Sequence, residues 1–175
     1  LKKETIMRIL GVDPGLQKTG WGVIESEGNR LTYVACGLIK TDAALPLYAR
    51  LAIIDAGLGE VFDKWQPDTS AVEETFVNNN AASALKLGFA RGVAIVAIAR
   101  KGIEVDEYPA NLVKKSVTGT GHATKDQMGM MIKTLLPASG KISEDEADAL
   151  AVAITHAHHA ASRKLMGGIM SGGVR

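Results

Sequence analysis

The chain has a single cysteine, Cys36, among its 175 residues, so no disulfide can form within it and the fold must stand on an apolar core. That length is enough for one domain of ordinary size. Cys36 itself lies in the apolar run "YVACGLIK", where a small buried hydrophobe is the ordinary reading of a free thiol. A charge bias is missing too: 20 Lys and Arg against 19 Asp and Glu leave a formal net charge of +1. The balance announces no polyanion partner, and any such site must come from local clustering of Lys and Arg. No charge-free apolar run approaches the ~20 residues of a bilayer crossing, because Lys86 and Arg91 interrupt the Ala-rich stretch from about Ala81 to Lys101. The opening "LKKETI" has no apolar run of signal-peptide length behind it. Internal repeats and low-complexity segments are also missing. The expectation is a folded, water-soluble, cytoplasmic protein.

What is present is ordered punctuation. "RILGVD", "GWGVIES" and "LTYVACGLIK" read as three strands of an antiparallel meander, separated by the turn segments "PGLQKTG" and "EGNR". Leu47, Leu51, Ile54, Leu58, Val61, Phe62 and Trp65 recur at helical steps. A short buried strand "TSAVEE" follows, then a long Ala-rich helix and a fifth candidate strand, "IEVDEY". Thr124 with Gln127, and Ser143 with Glu146, have the spacing of capping boxes. They predict one helix opening at Lys125 and a last one from about Ser143 to His159. The tail "GGIMSGGVR" is expected to be mobile.

A few carboxylates sit where this pattern predicts burial. Asp13 closes the first strand just before Pro14 and Gly15, Glu73 ends the strand "TSAVEE", and Asp145 and Asp148 share one face of the last helix. Each has an everyday reading: a turn aspartate, a strand-end glutamate facing solvent, two acids favouring a helix N-terminus. Burying several together without a cation costs several kcal/mol or more, and a divalent metal removes that contradiction. Mg²⁺ suits an all-oxygen set, and two such ions about 4 Å apart suit phosphodiester hydrolysis. His156, His158 and His159 in "HAHH" are read instead as cations favoured by the C-terminal end of the last helix.

The ordered blocks "GVDPGLQKTGWGVI", "AVEETF", "NNAASALKLGFARGVAIVA" and "DEADALAVAITHAHH" resemble the RuvC family of bacterial Holliday-junction resolvases, from Arg8 to about His159. The resemblance implies an α/β, RNase H-like fold with a mixed five-stranded sheet flanked by helices. It gives a single nuclease domain over residues 7–160, with 1–6 and 161–175 as flexible tails. It implies a Mg²⁺-dependent endonuclease, with two ions per active site and Mn²⁺ able to substitute, that resolves four-way junction DNA by paired symmetric nicks. It implies a homodimer, working with RuvA and RuvB branch-migration proteins in recombination and DNA repair. By position, Asp13, Glu73, Asp145 and Asp148 are the catalytic and metal-binding carboxylates, and Phe76 is the aromatic that probes the junction. Lys114 and Lys125 fall at basic positions near the scissile phosphate, with Lys86, Arg91 and Lys115 as further candidates for the DNA track.

Two rival readings stay open on sequence. The hairpin "GVDPGLQKTGWGV" is like the first phosphate hairpin of actin-type ATPases and sugar kinases, but that fold needs a second Gly-rich hairpin, and none follows Ser70. The other rival is a junction-binding scaffold or an RNA-cutting RNase H-like nuclease. A scaffold gains nothing from acidic side chains crowded against phosphates.

Overall fold

The computed structural model describes residues 5–74 and 80–171, with side chains through residue 160. Three strands, β1 (Met7–Asp13), β2 (Lys18–Glu27) and β3 (Arg30–Lys40), form the expected antiparallel meander. Helix α1 (Leu47–Trp65) then crosses to β4 (Thr69–Glu74), which lies parallel to β1. Helix α2 (Ala81–Ala99) crosses again to β5 (Val105–Pro109), parallel to β4. The sheet order is therefore β3-β2-β1-β4-β5, mixed and five-stranded. Helices α3 (Ala110–Thr118), α4 (Lys125–Leu135) and α5 (Glu144–Ser171) complete the chain.

Alternation along β1 divides the core. Leu10 and Val12 point to one face and pack with Ile54, Leu58, Ala90, Ala94 and Ile98 of α1 and α2. Ile9 points to the other and packs with Ile132, Leu150, Val152 and Ile154 of α4 and α5. Both predicted capping boxes are formed: Thr124 with Gln127 at α4, and Ser143 with Glu146 at α5.

Three expectations need correction. Helix α5 runs to Ser171 rather than ending near His159; "AASRKLM" is rich in good helix formers, and the two glycines after it do not stop the helix. The "HAHH" histidines are thus mid-helix, away from any C-terminal dipole. Helix α3 lies over a stretch that carries no element in the sequence reading; it is short and opens without a side-chain cap.

Helix α2 is long and apolar enough to cross a bilayer by length and composition, despite Lys86 and Arg91, and only 22% of its most apolar window is buried. In the fold it is a layer of the domain: Ala90, Ala94, Ala97 and Ile98 seat on the sheet, and Arg91 is paired with Glu107 and Glu74.

Candidate active site

Backbone contact sets the frame. Gly11 and Gly20 face α5, and a Cβ on Gly11 would lie 2.2 Å from the Ala149 carbonyl oxygen, one on Gly20 2.2 Å from that of Asp145. Only residues without a side chain let the helix lie directly on the β1–β2 hairpin. Asp13 pairs with Gly20 across that hairpin, so the first turn of α5 comes down beside it. The turn behind Asp13 is closed by Thr19, whose hydroxyl donates to the Gly15 carbonyl at 2.8 Å and accepts the Gly15 N–H at 3.3 Å. The loop is anchored further by Thr41, which donates to the Leu16 carbonyl at 2.5 Å and accepts from Arg50 Nε at 2.9 Å.

Glu73 reaches the same place from β4. The parallel register aligns Val12 with Val72, so Asp13 and Glu73 leave neighbouring strands at the same level and on the same face. Glu74 takes the opposite face, where Arg91 lies 3.8 Å from it. Of the two adjacent glutamates, Glu73 is the one turned to the cluster. Asp145 and Asp148 come from the first turns of α5, so the four acidic residues meet at the ends of β1 and β4.

Electrostatics report the crowding. Asp13 is pushed up from 3.8 to about 9, first by burial, then by the charge of Glu73, a hydrogen bond to Glu73, and the charges of Asp148 and Asp145. Glu73 is also raised by burial, opposed by the proton that Asp13 shares with it and by Lys114. Asp148 is raised to about 6 by burial and then by Glu73, with Lys125 pulling the other way. Burial and mutual repulsion thus both favour a proton on the pair Asp13 and Glu73.

Among the described residues, no set of three or more His, Cys, Asp or Glu side chains is drawn in to metal-coordinating distance. The donors still fit a hard divalent metal: all are carboxylate oxygens, held on two strand ends and one helix, and Asp13 feels the other three directly.

The predicted lysines divide. Lys114 on α3 and Lys125 at the start of α4 line a cavity of about 200 Å³ together with Glu73 and Asp148. Lys125 also pairs with Glu144, and it borders an adjoining cleft of about 480 Å³. Lys115 and Lys86 are exposed outside this cavity. Arg91 is turned away, its guanidinium satisfied by Glu107 and Glu74. Phe76 lies outside the described residues. Sequence reasoning missed Lys18, whose Nζ stands 4.0 Å from Asp145 Oδ2; a run "QKTG" in a turn carries no signal of that contact.

Two other expectations resolve here. Cys36 is half-buried rather than enclosed, its thiol donating weakly to Glu146 at 3.6 Å, and burial pushes it up, away from the reactive thiolate. His156 is buried at the far end of the sheet from Asp13. It bonds the Thr69 hydroxyl at 2.9 Å and the Tyr108 hydroxyl at 3.0 Å, with Asp106 at 3.3 Å.

A mixed sheet in this order, with acids converging from β1, β4 and the last helix, defines the RNase H-like nucleases. The chain belongs to the RuvC family: the model of that family, described as crossover junction endodeoxyribonuclease RuvC, matches residues 9–156. Among its relatives is the crossover junction endodeoxyribonuclease RuvC of Rhodopseudomonas palustris strain BisA53, 59% identical over 153 residues, which span 87% of this chain and 88% of the relative. That of Bradyrhizobium diazoefficiens is 57% identical over 159 residues, 91% of each chain. The structure of T. thermophilus RuvC in complex with Holliday junction substrate superposes with a TM-score of 0.83 at 33% identity, covering 89% of this chain and 96% of that one. The yeast mitochondrial Holliday junction resolvase Ydc2 shares the fold at 10% identity, with a TM-score of 0.69, over 96% of this chain and 86% of that one.

Proposed function

We propose that the protein is a metal-dependent endonuclease that resolves four-way DNA junctions by paired symmetric nicks, in recombination and DNA repair. The observation that carries the chemistry is the convergence of Asp13, Glu73, Asp145 and Asp148, where the charges of the other three act on buried Asp13. These four residues would hold two Mg²⁺ ions, with Mn²⁺ an acceptable substitute. When bound, the metal supplies water activation and stabilises the departing oxygen. Asp13 and Glu73 would have to ionise to hold it, and the glycine-seated α5 keeps Asp145 and Asp148 at fixed reach. Lys114 and Lys125, on the rim of the cavity beside Glu73 and Asp148, attract the scissile phosphate. The start of α4 behind Thr124 adds backbone N–H groups beside Lys125. Phe76, three residues after Glu73, is the apolar wedge that opens bases at the branch point. Exposed Lys115 and Lys86 extend phosphate contact, while Arg91 serves the fold.

Two opposed nicks require two sites, and a homodimer supplies them with the two-fold symmetry of the junction. Its surface is the outer face of α1 and α2, where Tyr48, Leu85, Phe89 and Val96 are all exposed around a shallow groove lined by Leu51, Ala52 and Val93. The substrate reaches it through the RuvA and RuvB branch-migration proteins, in the cytoplasm, where chromosomal DNA lies. The test is cleavage of synthetic four-way junctions with and without Mg²⁺, comparing wild type with Asp13→Asn. Lost cleavage with retained junction binding supports the reading. Equal cleavage by the two proteins overturns it.

A further inference from the structure

The candidate cations Lys114, on α3 after β5, and Lys125, at the start of α4, line the cavity on the Glu73 and Asp148 side of the carboxylates. A strand of DNA running through the site has phosphates on both sides of the scissile bond. On the other side, over β2 and β3, Lys18 and Lys40 are direct cross-strand partners. Their face is fixed by alternation. Gly20, two residues after Lys18, meets α5, and Cys36, four residues before Lys40, meets Glu146 of α5. Both lysines therefore stand on the side of the sheet that carries the cluster, beside the first turn of α5.

Like charges directly opposite one another cost stability in a strand pair. Lys18 faces Asp145 at 4.0 Å, longer than a hydrogen bond, with 52% of its side chain exposed. Lys40 is exposed as well. Each lysine has an acidic neighbour on α5, Asp145 for Lys18 and Glu146 for Lys40, yet both ammonium groups stay exposed beside the carboxylate cluster, where a polyanion can lie across them. We propose that Lys18 and Lys40 form a second phosphate-binding flank of the site, holding the DNA strand on the side of the carboxylates opposite Lys114 and Lys125. This rests on the junction-cleaving reading given above.

The test is binding of a fluorescent synthetic four-way junction in EDTA, followed by anisotropy as a function of salt. Each neutralised phosphate contributes about 0.9 to the slope of log K against log salt, so Lys18→Gln with Lys40→Gln is expected to lower it by about 1.8. Lys40→Gln alone should lower it by about half as much, although Lys40 does not touch Asp145. Arginine at both positions should restore the slope. The melting temperature of the glutamine double variant should stay close to that of wild type, because both lysines are exposed and their mutual repulsion offsets their attraction to Asp145 and Glu146. An unchanged slope in the double variant, while Lys114→Gln lowers it, overturns the second flank and leaves junction binding standing. An effect confined to Lys18→Gln also overturns it, and makes Lys18 a mere counter-ion of Asp145. A wild-type protein that does not bind the junction at low salt overturns the junction reading itself, and the flank with it.

Discussion

Replacing Asp13 with asparagine should abolish cleavage and at the same time stabilise the metal-free protein. The carboxyl of Asp13 ionises ordinarily at 3.8 but is raised to about 9 in the fold, by burial first and by Glu73 next. The unfolded chain loses this proton near pH 4, whereas the folded chain retains it. Between those limits, rising pH favours the unfolded state, so the folded wild type is penalised progressively as pH climbs from about 4 towards 9. At about pH 8 the gap is roughly 4 pH units, a ceiling on the order of 5 kcal/mol. Relaxation of a half-buried cluster and water entry reduce this to about 2–3 kcal/mol. An asparagine carries no such penalty, and its amide can still donate to Glu73. In a chain of this size each kcal/mol moves the melting temperature by about 2–4 °C, so the variant should melt roughly 5–10 °C higher in EDTA near pH 8. Thermal unfolding followed by circular dichroism measures this. The advantage should shrink towards pH 4, and saturating Mg²⁺ should raise wild type more than the variant. A variant that melts at or below wild type near pH 8, or a difference that ignores pH, would refute the burial argument.

Other consequences are equally measurable. Gly20→Val inserts a side chain where the Asp145 carbonyl lies 2.2 Å from even a Cβ, so urea unfolding should report a loss of about 2–4 kcal/mol and cleavage should fall with it. At the proposed site, Mg²⁺ would have to displace protons from Asp13, Glu73 and Asp148, all raised above their ordinary values. Its affinity should therefore rise with pH across the range from about 6 to 9, with proton release visible by calorimetry in buffers of different ionisation heat. Lys125→Gln should slow cleavage roughly 10- to 100-fold while leaving the melting temperature unchanged, because Lys125 and its partner Glu144 are exposed. His156→Ala removes a buried group bonded to Thr69 and Tyr108; unfolding should cost about 2–4 kcal/mol less, with metal affinity near that of wild type.

The strands and most helices were legible because each buries one face, and period 2 or 3.6 prints that fact on the sequence. The capping boxes Thr124 with Gln127 and Ser143 with Glu146 fixed two helix starts for a local chemical reason. Helix α3 has no comparable cap. The four acids were legible as misfits in apolar surroundings, yet their convergence depends on strand register and on how closely α5 lies, which no local pattern encodes. Arg91 reads as a cation in an Ala-rich helix, but its partners Glu107 and Glu74 arrive from β5 and β4. Lys18 and Asp145 are far apart in the chain, and only the β2 register and the seat of α5 bring them together.

The glycine seat beneath α5 has a consequence for how the protein can change over time. Side chains repack when their neighbours are replaced, so a helix held off a sheet by leucines drifts as the core drifts. Helix α5 rests on main chain at Gly11 and Gly20, and main chain offers no alternative rotamer or volume. The hairpin acts as a mechanical stop. Substitutions elsewhere in the two cores can accumulate while Asp145 and Asp148 keep their height above Asp13, so the spacing of the acidic cluster is insulated from most of the sequence that surrounds it.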